Sequence, residues 1–347
     1  MPANVALYYD PLFLGHDTLT HPENASRVEA CLRLIEDSGL GKRLQRPECR
    51  DATVDEVLRI HTADHVDRVR RAGMRGPVMV LADTMANVGT YAAALRAAGA
   101  VLGATEAVAR GDFEAAYCLV RPPGHHAIAS SWMGFCFFNN VAIAARHATA
   151  TLGLDRVAIV DIDIHHGNGT QDAFYEDPSV LYVSTHQYPY YPGSGYWRES
   201  GAGPGAGATL NLSLPGGCGD AEYRLVLDEV IAPKLRAYRP ELLLVSAGYD
   251  AHFADPIDGA LMKLSCAGYA GLIAHLRDLA LELCDGRIVV ALEGGYDLAA
   301  LSWSVRNSIE ALLGEAPAPD PLGAAPSGDA PDLVELIASL RALHRLT

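Results

Sequence analysis

Apolar residues along this chain fall into two kinds of run. Short, nearly unbroken ones stand at 5–9 (VALYY), 115–120 (AAYCLV), 156–162 (RVAIVDI), 180–185 (VLYVST), 209–214 (TLNLSL), 241–247 (ELLLVSA) and 287–293 (RIVVALE). They have strand length and little polar alternation, the pattern of strands covered on both faces. Longer Ala- and Leu-rich stretches beginning near Tyr91, Asn140 and Ala221 have helical length. Strands interleaved with helices predict an α/β fold: three layers, α/β/α, around a mostly parallel central sheet. Nothing inside 1–313 reads as a linker or a repeat, so that span is expected to be one domain. The Pro-, Gly- and Ala-rich segment 314–331 reads as an extended connector, and 332–347 as a helix packing back on the domain.

Composition narrows the classes. Half of the 347 residues are hydrophobic and a fifth charged, which suits a large folded core. No apolar run reads as long enough to cross a bilayer, and the amino terminus lacks the basic-then-apolar order of a secretory leader. Seven cysteines without a C-x-x-C pair fit neither a disulfide framework nor a Cys-rich zinc module, so a reducing, cytoplasmic home is expected. A formal charge of −15 argues against a general nucleic-acid binder, which needs basic surface to release phosphate counterions.

The chemistry gathers where the strands end. AAYCLV runs into RPPGHHA, RVAIV into DIDIHHGNG, ELLLVSA into GYDAHFADP and RIVVA into LEGGYD. Ligands of parallel sheets bind beyond the carboxyl ends of the strands, and here four such ends deliver His, Asp and Tyr to one rim. Alternation along a strand puts Asp161, Asp163 and His165 on one side. With Asp250 they offer enough oxygen and nitrogen donors for a divalent ion, whose charge would offset the cost of burying carboxylates. Catalytic zinc takes three protein ligands and keeps one open position, so one of the four is spare and free to orient a histidine. Spacing alone leaves Asp161 and Asp163 equal candidates for that role. His125 and His126 suit acid–base work, since imidazole titrates near neutral pH. Tyr296, after two glycines, suits donation to a developing oxyanion. The glycines of 200–208 lead into a strand rather than a helix and so do not form a dinucleotide loop. The aromatics of 188–197 are expected to wall a substrate channel.

Taken together, RPPGHHA, GFCFFNNVAIAARHA, DIDIHHGNGTQDAFYEDPSVLYVSTH, VSAGYDAHFADP and LEGGYD resemble the zinc-dependent histone deacetylase family, with its arginase-like α/β fold. The match runs from HPENASRV at His21 to LEGGYDLAALSWS, and its details resemble the class II branch and its bacterial relatives. The resemblance implies a deacetylase catalytic domain over 1–313, with one zinc ion on Asp163, His165 and Asp250. It implies Asp161 as the carboxylate that orients His125, His126 as general base and acid partnered by Asn168, and Tyr296 as the oxyanion donor. Gly134, Phe135 and Tyr191 match the acyl-lysine tunnel. A structural potassium ion is implied near Asp161 and Ser184.

The implied substrate is an acylated lysine or an acetylated small amine, with water attacking the amide. Family members acting on acetylated polyamines carry an acidic gatekeeper or a narrowing insertion. Ile257 stands at the gatekeeper position here, with Asp258 next to it, which leans towards acyl-lysine. A retired, non-catalytic binding module would be expected to have lost Tyr296, a histidine or a ligand, and all are present.

Overall fold

The computed structural model describes residues 4–326 and 328–346. All seven expected runs are strands: β1 (Val5–Tyr8), β2 (Ala115–Cys118), β3 (Val157–Asp161), β4 (Val180–Gln187), β5 (Thr209–Leu214), β6 (Leu242–Ala247) and β7 (Ile288–Leu292). They form one sheet in the order β1-β2-β7-β6-β3-β4-β5, every pair parallel. Parallel pairing requires a crossover for each connection, and the Ala- and Leu-rich segments supply them.

The helices that build the core and the site are α1 (Ser26–Asp37), α2 (Thr90–Arg110), α3 (Asn140–Ala150), α4 (Asn168–Phe174), α5 (Cys266–Cys284), α6 (Leu298–Leu312) and α7 (Val334–His344), with shorter ones at Val54–Val57 and Ala63–Arg71. A further helical run occupies 220–238. Side-chain alternation sorts the core into two layers. Leu7, Tyr117, Val160, Val245 and Val290 pack with residues of α1, α5 and α6. Ala6, Ala116, Ile159, Leu244 and Val289 pack on the other face with residues of α2 and α3. The result is the single-domain, three-layer architecture expected from the pattern.

Two details differ from expectation. By length and composition α2 is capable of crossing a bilayer, and 67% of its most apolar stretch is buried inside the fold. It is a core helix, rich in alanines that let it lie close to the sheet. An antiparallel ribbon of Val78–Met79 with Met85–Ala86 also had no counterpart in the apolar pattern, because each strand is two residues long. At the carboxyl end of the chain, α7 buries Ile337 and Leu340, and Arg341 pairs with Glu229 at 2.6 Å. The described residues of 314–331 contain no helix or strand.

Candidate active site

Strands β2, β7, β6 and β3 are consecutive neighbours in the sheet. The four segments that follow them therefore meet at one edge: 121–127, 293–297, 248–258 and 162–168. Strand β3 ends at Asp161, earlier than the simple alternation required. Beyond it a chain of carboxylate-to-backbone bonds orders the turn. Asp161 Oδ1 accepts from Asp163 N (3.2 Å), Asp163 Oδ1 from His165 N (2.8 Å) and Asp250 Oδ1 from Ile164 N (3.0 Å). The acidic side chains fold the loop that carries them.

Asp163, His165 and Asp250 are all buried, and one ligand atom from each lies within 4.8 Å of the others. His165 Nδ1 faces Asp163 Oδ1 at 3.0 Å and Asp250 Oδ2 at 3.2 Å. Asp250 Oδ2 is buried and makes no hydrogen bond. Burial and the neighbouring Asp163 push the Asp250 carboxyl above its ordinary range, while His125 and His165 outweigh burial to hold Asp163 well below. Two carboxylates and one imidazole, with an Asp250 oxygen that the His165 ring faces without a hydrogen bond, fit a divalent cation of the N/O-binding kind. Close approach of the loops after β7 and β6 is built in: a Cβ on Gly294 would stand 2.1 Å from Asp250 Oδ2, and one on Gly248 1.9 Å from Asp163 Oδ2. Gly294 N donates to Asp163 Oδ2 at 2.9 Å.

Asp161 does not join this trio. Its Oδ2 receives His125 Nδ1 at 3.0 Å and the Tyr182 hydroxyl at 3.0 Å. Burial opposes charge on His125, but Asp161 and Asp163 overrule it and push the imidazole well above its ordinary value. His126 behaves oppositely. Burial, then the adjacent His125 and His165, hold it well below the usual value and therefore neutral near pH 7. Its Nδ1 lies 2.8 Å from Asn168 Oδ1. An amide oxygen only accepts, so Nδ1 carries the proton and Nε2 keeps a free lone pair. Glu293 orders the histidine loop from behind, accepting from Gly124 N (2.7 Å) and His125 N (3.2 Å); burial pushes its carboxyl up to about 7.

These groups open into a cavity of about 220 Å³ lined by His125, His126, His165, Gly134, Phe135, Tyr191, Ile257 and Tyr296. Gly134 has φ +53° and a Cβ there would come within 2.3 Å of the His126 ring. Phe135 holds the rare value φ +69°, fixed by a bond from its N–H to Thr84 Oγ1 (3.2 Å). Strain of this kind persists where surroundings over-determine it. The aromatic segment 188–197 divides in two. Tyr190 and Tyr191 line the cavity, whereas Tyr188, Tyr196 and Trp197 pack on one another at 5.6–5.7 Å. Tyr190 stacks on His165 at 5.0 Å, and the Tyr191 hydroxyl donates to Asp83 Oδ2 at 3.1 Å.

Asp83, Tyr190, Pro123 and Gly294 also line the cavity and were not singled out from sequence; Asp83 comes from the tip of the short ribbon, where no apolar pattern pointed to the site. Tyr182 and Glu293 were missed because they touch the site only through neighbours, Asp161 and the histidine loop. A buried acid in LEGGYD was the available clue for Glu293.

The histone deacetylase domain model matches residues 21–312. Histone deacetylase 14, chloroplastic, of Arabidopsis thaliana is 43% identical over 319 residues, 87% of this chain and 75% of that protein. A probable deacetylase of Archaeoglobus fulgidus is 39% identical over 306 residues, 87% of this chain and 84% of that one. The crystal structure of the HDA15 HD domain superposes with a TM-score of 0.89 at 34% identity, covering 99% of this chain and 94% of that one. A parallel α/β hydrolase with its reactive groups at the strand ends is thus the class, and the chain belongs to the histone deacetylase family. It is a deacetylase. The expected cytoplasmic home needs correction: the plant relative is named a chloroplastic protein. The seven free cysteines, from which a cytoplasmic home was expected, do not single out the cytosol.

Proposed function

We propose that this deacetylase hydrolyses the acetyl group, or another short acyl group, from the ε-amine of lysine, with Asp163, His165 and Asp250 holding one zinc ion. The observation that carries the reading is the buried Asp250 oxygen, without a hydrogen bond, that sits beside His165, a residue that lines the cavity together with His126 and Tyr296. Zinc bound there supplies Lewis acidity towards the amide carbonyl and towards water.

The chain's own groups do the rest. Neutral His126, with Nε2 unprotonated, takes the proton as water attacks the carbonyl carbon. Protonated at Nε2, it then delivers that proton to the leaving amine as the C–N bond breaks, giving acetate and lysine. Asn168 keeps the imidazole in the tautomer required. Asp161 pairs with His125 and fixes its orientation, and the positive charge on His125 keeps His126 a weak base. Tyr296, whose hydroxyl makes no hydrogen bond among the described residues, donates to the oxyanion. Phe135 and Tyr191 flank the acyl-lysine stem. A structural potassium ion beside Asp161 and Ser184 is proposed on the resemblance and on the register that sets those two residues opposite each other.

A second substrate reading is supported by the rim. Asp83 and Asp258 both line the cavity and would favour a cationic amine such as an acetylated polyamine, whereas Ile257 gives no such charge. Acetate release from an acetyl-lysine peptide and from an acetylpolyamine, each with the zinc-loaded protein and with Tyr296→Phe, tests both. Activity on neither, or full activity in Tyr296→Phe, rejects the proposed chemistry.

A further inference from the structure

Tyr296 follows two glycines, and Gly295 has φ +113°. Successive glycines give a loop little conformational preference of its own, so its contacts must hold it in place. From the inner side they are clear. Gly294 N is bonded to Asp163, Arg27 Nε donates to Gly295 O at 2.6 Å, and the Arg27 guanidinium lies 5.0 Å from the Tyr296 ring centroid.

From the outer side one carboxylate holds the loop. Asp255 Oδ2 accepts from Tyr296 N at 2.7 Å and from Asp297 N at 3.3 Å; its Oδ1 accepts from Ile257 N at 3.0 Å. Asp255 is in turn fixed by its own N–H, which donates to His252 O at 2.9 Å. The two amides on Oδ2 lie at the start of α6, whose N-cap is Asp297, where backbone N–H groups lack helical acceptors and favour an anion. Both oxygens of Asp255 are therefore engaged by donors from separate loops. One loop presents Ile257 to the cavity, and the other presents Tyr296.

We infer that Asp255 is a positioning residue that sets the reach of the Tyr296 hydroxyl and couples it to the cavity wall at Ile257. This rests on the reading of Tyr296 as the oxyanion donor. The side chain touches neither substrate nor the reacting atoms, and works only through the backbone it clamps. Asn is not an equivalent replacement. Whichever way its amide turns, an NH₂ group faces a backbone N–H where an oxygen stood, and at least one of the clamping bonds is lost.

The test is a double-variant cycle on the full-length, zinc-loaded protein with an acetyl-lysine peptide, metal content being measured for each variant. Misplacing a catalytic group by about 1 Å costs about 10²-fold. Asp255→Asn should accordingly lower kcat by about 10- to 100-fold, with KM within about threefold and zinc content unchanged. In a Tyr296→Phe background the same change should cost less than about threefold, because the hydroxyl it positions is gone. Penalties that multiply, a loss confined to KM, a loss tracking zinc content, or no loss would each overturn the inference. Wild-type rates in Tyr296→Phe alone would instead defeat the reading of Tyr296, and the inference with it. Should Asp255→Asn fail to fold, amide hydrogen exchange in the wild type decides. Protection of Tyr296, Asp297 and Ile257 relative to other loop amides supports the clamp, and free exchange at all three sinks it.

Discussion

Two groups of carboxylates and histidine in this molecule, one fully buried and one partly so, look alike and are built for opposite ends. Asp163, His165 and Asp250 stand at the sheet edge; Glu56, Glu106 and His147 stand on the far side of α2 and α3, with their ligand atoms equally close together. The difference is the local cation. Arg50 donates to both oxygens of Glu56 (2.8 and 2.9 Å) and to Glu106 (2.8 Å). Its bonds, with those from Thr53, outweigh burial and bring the Glu56 carboxyl down to about 2. No arginine or lysine bonds to the central carboxylates among the described residues; Asp250 is pushed up and keeps an oxygen without a hydrogen bond. One group carries its own counter-charge and is a salt-bridge network. The other has only the titratable imidazoles of His125 and His165 beside it, with no permanent cation, and suits a metal ion from solution. Proximity of acids therefore says little until the neighbouring positive charges are counted.

The largest effect that would break this comparison is the simplest. Asp250→Ala should abolish zinc retention and lower deacetylation by at least about 10³-fold, the loss expected when several kcal/mol of transition-state stabilisation disappear. Glu106→Ala should leave both zinc content and rate within about twofold, as a partly exposed residue on α2 outside the cavity lining. Elemental analysis and acetate release on the purified variants decide the matter. Zinc lost from Glu106→Ala would show the two groups to be alike.

Next in size is Tyr296→Phe. Removal of one preorganised oxyanion donor costs about 10²–10³ in kcat. The drop should appear in kcat with zinc content unchanged, which separates it from the loss at Asp250. Full turnover by this variant would mean that the cavity stabilises the oxyanion by some other group.

The floor of the site was legible in the sequence because secondary structure makes it local. DIDIHHGN packs Asp161, Asp163, His165 and Asn168 into eight residues after a strand, and parallel strands deliver their ends to a common edge. Which of these acids meets which partner was not legible from spacing. It depends on Asp161 meeting His125 and Tyr182 from other segments, which only the fold brings together. The alternation used to align the acids also stopped short, since β3 ends at Asp161 and side-chain bonds to backbone order the turn beyond it. The walls were less legible still. Asp83 arrives on a ribbon too short to leave an apolar pattern, and Asp255 acts through amides that no sequence pairing reveals.

A smaller effect sharpens the role of charge at the centre. His126 is paired with a neutral amide, so its pKa stays depressed by burial and by His125, and the free base survives to low pH. Activity should fall only as pH drops through that lowered value. Asn168→Asp places a negative charge on Nδ1–H, favours the imidazolium, and should move the acidic limb of the pH–kcat profile upward by about 1 unit. Coincident acidic limbs for the two proteins would refute this.

The smallest effect concerns the peripheral network and should not touch catalysis at all. Glu56 is held at about 2 in the folded chain, against about 4.3 for a free glutamate. A carboxylate lowered on folding contributes stability that is complete above its unfolded value and is lost as pH falls towards its folded value. Between about pH 4.5 and 2, the wild type should therefore lose a contribution of about 1.5–3 kcal/mol from this residue, the range for hydrogen bonds to a charged group. Glu56→Gln should start lower in melting temperature at pH 7 and show a shallower decline through that acid window, at an unchanged deacetylation rate. Melting curves taken across the window test it. A wild type and a Glu56→Gln protein with parallel acid declines would mean that Arg50 contributes no protective charge here, and the contrast with the centre would rest on the orphaned Asp250 oxygen alone.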